Sequence, residues 1–176
     1  EEAVVQKMNT NIASQTWYVM YEKCKNLAGT NENVQTSMIW GSLWDETLQW
    51  LVDSEAKIST GETIDYTLIS NSTSWGNYYN ATFEYTTTSG GTSTKNTGSD
   101  TRIPTGSADY TKANNIYDMA GNVYDWTLEA ESTDVRVYRG GYYYYDGSSV
   151  PVRNRDNYYP SVSSLYVGCR ASLYIK

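Results

Sequence analysis

Four consecutive tyrosines, Tyr142 to Tyr145, constrain the fold more than any other feature of this sequence. Side chains alternate between the two faces of a β-strand, so four large rings in a row cannot all lie on one buried face. Some of these rings must therefore face solvent or a partner. The stretch around them, residues 139–170, carries three further tyrosines among Ser, Asp, Asn and Gly. Antibody binding loops have the same composition, so the stretch favours a binding surface.

The length and charge of the chain exclude several classes of protein. The 176 residues fit one domain with a sizeable core, and the net charge of −7 argues against nucleic acid or an anionic membrane as the partner. No apolar run approaches the ~20 residues of a membrane span. We expect a single domain over residues 1–176, with residues 139–170 as its ligand-binding region. The opening EEAVVQKMNTN is typical of the middle of a protein, so we expect the C-terminal part of a longer chain.

Histidine is absent and cysteine is scarce, which limits the available chemistry. A chain without histidine lacks the commonest metal ligand and the usual neutral-pH acid or base. The only two cysteines are Cys24 and Cys169. Their spacing does not decide between a disulfide and two buried free thiols, and we favour free thiols.

Helical patterns come first along the chain and short strands follow, which predicts an α+β domain. Apolar residues at helical spacing predict a helix over Ala13–Leu27 and a second over residues 37–53, capped by Thr36 or Ser37. We interpret Trp40, Trp44 and Trp50 of the second helix as core and edge packing. A short hairpin is expected around Ala81–Thr87 within a Ser/Thr/Gly-rich loop region, and short strands are expected at Val135–Arg139 and Ala171–Ile175.

Three separated motifs in the second half carry a family resemblance: NIYDMAGNVYDWT at 115–127, RVYRGG at 136–141 and GCR at 168–170. In this order they resemble the signature of the formylglycine-generating-enzyme-like (sulfatase-modifying-factor) family. The resemblance implies a C-type-lectin-like fold of the formylglycine-generating-enzyme type, with two helices, short antiparallel strands and long irregular loops. Trp75 and Trp126 are expected in its core.

Asp118 and Asp125 flank a Gly-Asn turn, where two carboxylates and turn carbonyls could converge on a hard cation. The resemblance implies a structural calcium here, held by the side chains of Asp118 and Asp125 and the carbonyls of Gly121 and Val123. The alternative is a metal-free turn in which both carboxylates accept backbone N–H bonds. No other cofactor is expected.

Four arginines recur in the late region: Arg139, Arg153, Arg155 and Arg170. Buried arginines need carboxylate or carbonyl partners and can hold irregular backbone in place. A clamp for an anionic ligand is the alternative, and we favour the structural role.

The residues needed for the family's chemistry are missing. The resemblance implies a copper-binding cysteine pair, one member directly after the GCR arginine, but Ala171 stands there and Ser172 follows. Cys169 is expected to lack a nearby partner thiol, and the related multi-histidine iron sites need histidine. Glu129, Glu131 and Asp134 are interpreted as a solvated acidic loop. We therefore predict that the domain is not an enzyme.

This chain resembles one branch of the family, the variable proteins of diversity-generating retroelements, in a further respect. In those proteins adenine-directed mutagenesis randomises codons of a C-terminal repeat, and mutated asparagine codons yield Tyr, Ser, Asp, Asn and Gly, among others. These residues dominate the run between Gly141 and Gly168, so the resemblance implies that residues 139–170 are the variable ligand-binding region. The candidate ligand-binding residues are Tyr142, Tyr143, Tyr144, Tyr145, Asp146, Asn154, Asp156, Asn157, Tyr158, Tyr159, Ser161, Ser163, Ser164 and Tyr166.

The leading hypothesis is a non-catalytic variable protein that binds a protein or glycan on a host or neighbouring cell. An extracellular location, on a cell surface or phage particle, goes with it. The first alternative is an invariant structural or adhesive surface domain of the same fold, and the second is a formylglycine-generating-type oxidase. Tyrosine suits both proposed ligands, because its ring stacks on apolar faces and its hydroxyl bonds polar groups.

Overall fold

A computed structural model describes residues 13–176. The expectation of a longer protein depends on the opening EEAVVQKMNTN, and this segment lies outside the described residues. The helices are α1 (Trp17–Lys25), α2 (Gly41–Asp53) and α3 (Tyr66–Ser70). The strands are β1 (Val34–Met38), β2 (Phe83–Thr86), β3 (Thr92–Lys95), β4 (Lys112–Ala113), β5 (Ile116–Tyr117), β6 (Tyr124–Ala130), β7 (Arg136–Arg139), β8 (Arg155–Tyr158), β9 (Val167–Cys169) and β10 (Ala171–Ile175).

Helix α1 confirms the first predicted helix with tighter ends. Thr16 caps it, its hydroxyl accepting a hydrogen bond from the Val19 N–H at 3.4 Å. The buried face carries Trp17, Met20 and Cys24. This spacing of three and four residues places one apolar stripe against the core.

Helix α2 begins at Gly41, and the predicted cap at Thr36 or Ser37 is wrong. Both residues lie on β1, which pairs antiparallel with β10. The local sequence resembles a cap, but hydrogen bonds to a strand more than 130 residues later in the chain, such as the Thr36–Leu173 register, decide the structure. Of the three tryptophans of this region, Trp44 is fully buried, whereas Trp40 and Trp50 are half exposed.

A four-stranded sheet with the order β8-β7-β6-β9 carries the late motifs. Strand β6 pairs antiparallel with β7 and parallel with β9, and β8 and β9 are the two edge strands. The strands predicted at Val135–Arg139 and Ala171–Ile175 are present as β7 and β10. The hairpin predicted around Ala81–Thr87 is present but longer, because β2 pairs with β3, which ends at Lys95. The sheet therefore holds both ends of the tyrosine-rich stretch, since β7 precedes it and β9 closes it.

Two apolar clusters form the core. One gathers α2, α3 and the loops around Trp75 and Met119, and the other packs α1 against Met38, Trp126 and Val167. Trp75 and Trp126 are buried, as predicted. Within residues 13–176, no helix combines the length and the apolar character needed to cross a bilayer.

Candidate ligand-binding site

A glycine turn directly after β7 directs the tyrosine run out of the sheet. Gly140 and Gly141 have φ values of +99° and +73°, a region that other residues rarely adopt. A Cβ atom on Gly141 would lie 1.9 Å from the carbonyl oxygen of Val150. The Gly140 carbonyl accepts hydrogen bonds from the Tyr78 hydroxyl at 3.0 Å and the Gly121 N–H at 2.8 Å. The RGG motif thus fixes the point at which the tyrosines leave the framework.

Tyr142 is the anchor of the tyrosine run. Its ring centroid lies 4.8 Å from that of Tyr124, 5.1 Å from Tyr166 and 5.5 Å from Tyr145. Tyr124 in turn contacts Tyr138, at 4.5 Å, which leads to the buried Trp126. Burial, followed by the neighbouring Tyr145, raises the pKa of Tyr142. A continuous set of rings therefore runs from the core to the surface.

Around this anchor the rings become accessible. We call Tyr142, Tyr143, Tyr144, Tyr145 and Tyr166 the tyrosine patch. Tyr142 and Tyr143 are half-buried, whereas Tyr144, Tyr145 and Tyr166 are 46%, 49% and 38% exposed. The rings of Tyr144 and Tyr166 lie 5.9 Å apart, although their positions in the sequence differ by 22. The two ends of the tyrosine-rich stretch therefore meet in one surface, and the four consecutive tyrosines form a turn in which exposure increases from Tyr142 to Tyr145.

Tyr158 and Tyr159 form a second exposed group, here called the edge pair. They lie at the end of the edge strand β8, with ring centroids 5.8 Å apart and exposures of 49% and 57%. The loop that follows them exposes Val162 and Leu165 as well. Its Pro160 carbonyl accepts a hydrogen bond from the Trp17 N–H of α1 at 3.1 Å, which holds the loop against the helix.

Three of the polar candidate residues are held by the framework. The Asn154 amide donates to the Tyr124 hydroxyl at 3.2 Å, and the Asn157 amide donates to Glu131 at 2.6 Å. Asp156 accepts a hydrogen bond from the Tyr138 hydroxyl, and burial together with this carboxylate raises the pKa of Tyr138 to about 12. Asn154 and Asp156 therefore contact tyrosine hydroxyls, whereas Asn157 contacts an acidic side chain.

The remaining polar candidates differ in exposure. Ser161 and Ser163 are exposed, whereas Asp146 and Ser164 are half-buried. The Ser164 hydroxyl accepts a hydrogen bond from the Tyr166 N–H at 3.2 Å, so it also positions a ring of the tyrosine patch.

Sequence reasoning missed a second segment beside the tyrosine patch. The Tyr79 N–H donates to the Tyr145 carbonyl at 3.0 Å, and the Tyr79 ring is 39% exposed. Arg102 and Asp100 act electrostatically on Tyr143, whose pKa is raised mainly by burial. The sequence of the 71–80 and 96–102 loops predicts solvated polar stretches. Only backbone hydrogen bonds between segments far apart in the sequence place these loops beside the tyrosine patch.

A buried lysine holds this second segment in place. The Lys95 ammonium donates to the carbonyls of Tyr78, Tyr79 and Ala81 and is fully buried. Burial lowers the pKa of Lys95 to about 8, against the opposing effect of Asp100 and Asp146. No periodicity in the sequence signals this role, because Lys95 lies in a polar hairpin strand.

Three of the four arginines have structural contacts. Arg139 is buried and binds both carboxylate oxygens of Asp45, at 2.8 and 2.7 Å. Arg155 bonds Glu129 at 2.6 Å, and Glu129 also lies 3.6 Å from Arg139. The interpretation of Glu129 as part of a solvated loop is therefore wrong, because its carboxylate bridges two arginines. Arg153 is exposed.

Arg170 occupies the turn at which calcium was expected. Its guanidinium donates to the Asp125 carboxylate at 2.7 Å and to the Asp118 carbonyl at 3.0 Å. The Asp118 carboxylate accepts the Gly106 N–H and the Thr111 hydroxyl, each at 2.7 Å. Burial raises the pKa of both aspartates, and Arg170 opposes that rise. Both carboxylates are therefore occupied by protein donors.

This donor set does not fit calcium as it stands. Calcium takes six to eight oxygen ligands, whereas the Asp118 and Asp125 carboxylates already accept hydrogen bonds from Gly106, Thr111 and Arg170. The arrangement favours the metal-free turn, and the calcium site with Asp118, Gly121, Val123 and Asp125 stays a prediction.

A melting experiment separates the two states of this turn. Because Arg170 already neutralises Asp125, we expect the thermal midpoint to stay unchanged when calcium is replaced by a chelator such as EGTA. Differential scanning calorimetry of the same preparation in the two buffers measures the difference. A midpoint that falls on chelation and recovers on adding calcium would contradict this expectation and establish the calcium site.

The positions at which the family's chemistry was expected carry no cysteine. Ala171 is exposed on β10, and the Ser172 hydroxyl donates to the Ser37 carbonyl at 3.4 Å. The expectation that Cys169 has no nearby partner thiol is wrong, because the Cys24 Sγ lies 3.6 Å from the Cys169 Sγ. The helix and the strand that carry them are adjacent in space, which their separation in the sequence conceals. Both cysteines are free thiols.

The sheet and the buried arginine contacts hold the three late motifs in place, and these motifs are those of one family. The model of the sulfatase-modifying factor enzyme 1-like domain matches residues 52–173, and the chain belongs to this family. The predicted family and its α+β, C-type-lectin-like fold of the formylglycine-generating-enzyme type are thereby confirmed.

One solved structure and the curated proteins complete the comparison. The chain is similar to "Treponema denticola variable protein 1", with 18% identity and a TM-score of 0.47, over 81% of this chain and 48% of that one. It thus spans about half the length of that structure. No curated protein sequence matches the chain.

Proposed function

We propose that this domain is a non-catalytic, ligand-binding variable protein of a diversity-generating retroelement. The observation that carries the proposal is the tyrosine patch, in which exposed rings from both ends of residues 139–170 lie together around the half-buried Tyr142. Exposed aromatic rings close together supply large contact area at little cost in side-chain entropy. Rings of this kind are enriched at binding hot spots.

The division between framework and surface supports diversification. Residues that belong to the family motifs, among them Arg139, Gly141 and Gly168, are buried. By contrast, Tyr144, Tyr145, Tyr158 and Tyr159 are exposed. Mutagenesis of the exposed positions would change the contact surface and leave the core contacts intact, which a diversified binding protein requires.

The residues at the start of β10 and the lack of histidine support a domain without catalytic activity. Ala171 and Ser172 stand where the family resemblance implies a metal-binding cysteine, and the chain has no histidine. The ligand is a protein or glycan, since tyrosine rings and hydroxyls suit both. We place the domain on a cell or phage surface, where it would meet a ligand on a host or neighbouring cell.

Sequencing of the gene in many clones of one lineage tests this function. We expect a nearby non-coding repeat that differs from codons 142–166 only at adenine positions, beside a reverse-transcriptase gene. Clones should differ from one another at the exposed tyrosine and serine codons and agree at Arg139, Gly141 and Arg170. If all clones and sister genomes are identical over codons 142–166, the domain is an invariant surface domain and the proposal fails.

A further inference from the structure

The two cysteines form a close pair across the second core cluster. Cys24 lies on α1 and Cys169 ends β9, and their sulfur atoms are 3.6 Å apart although 145 positions separate them in the sequence. Cys24 is buried, and Cys169 is half-buried. The chain has no other cysteine, so each thiol has a single intramolecular partner.

The elements that carry the pair are fixed by independent contacts. The buried face of α1 and Val167 of β9 pack with Met38 and Trp126 in the same cluster. The start of α1 is also bound to the late loop, through the Ser14 N–H donating to the Ser164 carbonyl at 2.8 Å and the Trp17 N–H donating to the Pro160 carbonyl. The sulfurs therefore meet because the folded backbone brings them together, and a disulfide, with its S–S bond of about 2.05 Å, requires only a small approach.

We propose that Cys24 and Cys169 form an intramolecular disulfide when the domain meets an oxidant of the disulfide class, such as oxidised glutathione or a protein disulfide. One protein thiolate attacks the S–S bond of the oxidant and releases one thiol. The second protein thiolate attacks the resulting mixed disulfide and releases the other thiol. The domain loses two hydrogen atoms, and the oxidant is reduced to two thiols.

This bond acts at the end of the tyrosine-rich stretch. Cys169 follows Val167 and Gly168 of β9 and precedes Arg170, which binds Asp125. The stretch is held at its start by the Gly140–Gly141 turn, and the disulfide would join its end covalently to α1. In the unfolded chain the same bond closes a long loop, which lowers the entropy of the unfolded state.

The test uses the whole domain without substitutions. The reduced protein is equilibrated under native conditions with a mixture of oxidised and reduced glutathione, and the intact mass and a non-reducing peptide map are measured. We expect a mass lower by two hydrogen atoms, a peptide linking Cys24 to Cys169, and a thermal midpoint raised by about 5–10 °C. Cys24→Ser should instead stop at a glutathione adduct on Cys169 with no rise in the midpoint.

Retention of both thiols at an oxidising glutathione ratio overturns the proposal. So does a product that carries only glutathione adducts, because it shows that the second sulfur does not reach the first. The wild-type measurement decides on its own if the Cys24→Ser variant does not fold. This outcome is independent of ligand binding, so it stands or fails separately from the proposed function.

Discussion

Replacement of Gly141 by alanine is expected to destabilise the domain by about 2–5 kcal/mol and to disorder the tyrosine patch. Two costs add. The φ of +73° disfavours any residue with a Cβ by roughly 1–2 kcal/mol. The new Cβ would also lie 1.9 Å from the Val150 carbonyl oxygen, a backbone atom that cannot rotate away, and such overpacking costs about 1–3 kcal/mol.

Gly90→Ala is the matched control for Gly141→Ala. Gly90 has a φ of +86°, but its added Cβ would meet no atom within 4 Å, so only the conformational cost of about 1–2 kcal/mol applies. Urea unfolding measures both free energies, and near-ultraviolet circular dichroism reports the packing of the tyrosines. Equal losses in the two variants would show that the contact with Val150 contributes nothing.

Arg170→Ala is expected to cost about 3–5 kcal/mol, because it leaves the buried Asp125 carboxylate without its cation. Without Arg170 the pKa of Asp125, already raised by burial, rises further. The folded state then binds more protons than the unfolded state above the ordinary aspartate pKa. The free energy of unfolding of the variant therefore falls as pH rises from about 4 to about 7, more steeply than in the wild type.

Arg153→Ala controls for the loss of an arginine in the same region. Arg153 is exposed, so its removal should change the free energy of unfolding by less than about 0.5 kcal/mol. The double variant Arg170→Ala/Asp125→Asn should recover part of the loss and most of the extra pH dependence, since of the two buried carboxylates near Arg170 only Asp118 remains. A pH-independent loss in Arg170→Ala would argue against the ion pair as its cause.

The sequence predicts the late half of this domain well for identifiable reasons. Alternating burial matches β7, residues typical of strands indicate β10, and Trp126 lies in a local motif that predicts its place in the core. The spacing of the four consecutive tyrosines predicts that they do not form one strand, and in the structure they form a turn after β7. Local patterns suffice wherever the decisive contacts are local.

Contacts between distant segments account for what could not be predicted. Thr36 resembles a helix cap but lies on β1, because β10 pairs with it from the other end of the chain. The pairing of Cys24 with Cys169, the bridging role of Glu129 and the burial of Lys95 depend in the same way on which elements become neighbours. In each case the sequence does not determine the role of a polar or small side chain, because that role depends on a partner from another element.

The most direct test of a tyrosine binding surface is the affinity of Tyr144→Ala/Tyr145→Ala for a ligand selected with the wild-type domain from a random peptide library or a glycan array. The exposed Tyr66 of α3, whose hydroxyl contacts Gln49, provides the control Tyr66→Ala. We expect the double variant to raise Kd at least about tenfold with an unchanged thermal midpoint, and Tyr66→Ala to bind as the wild type does. Unchanged Kd in the double variant, or an equal loss in Tyr66→Ala, would contradict a binding surface centred on the tyrosine patch.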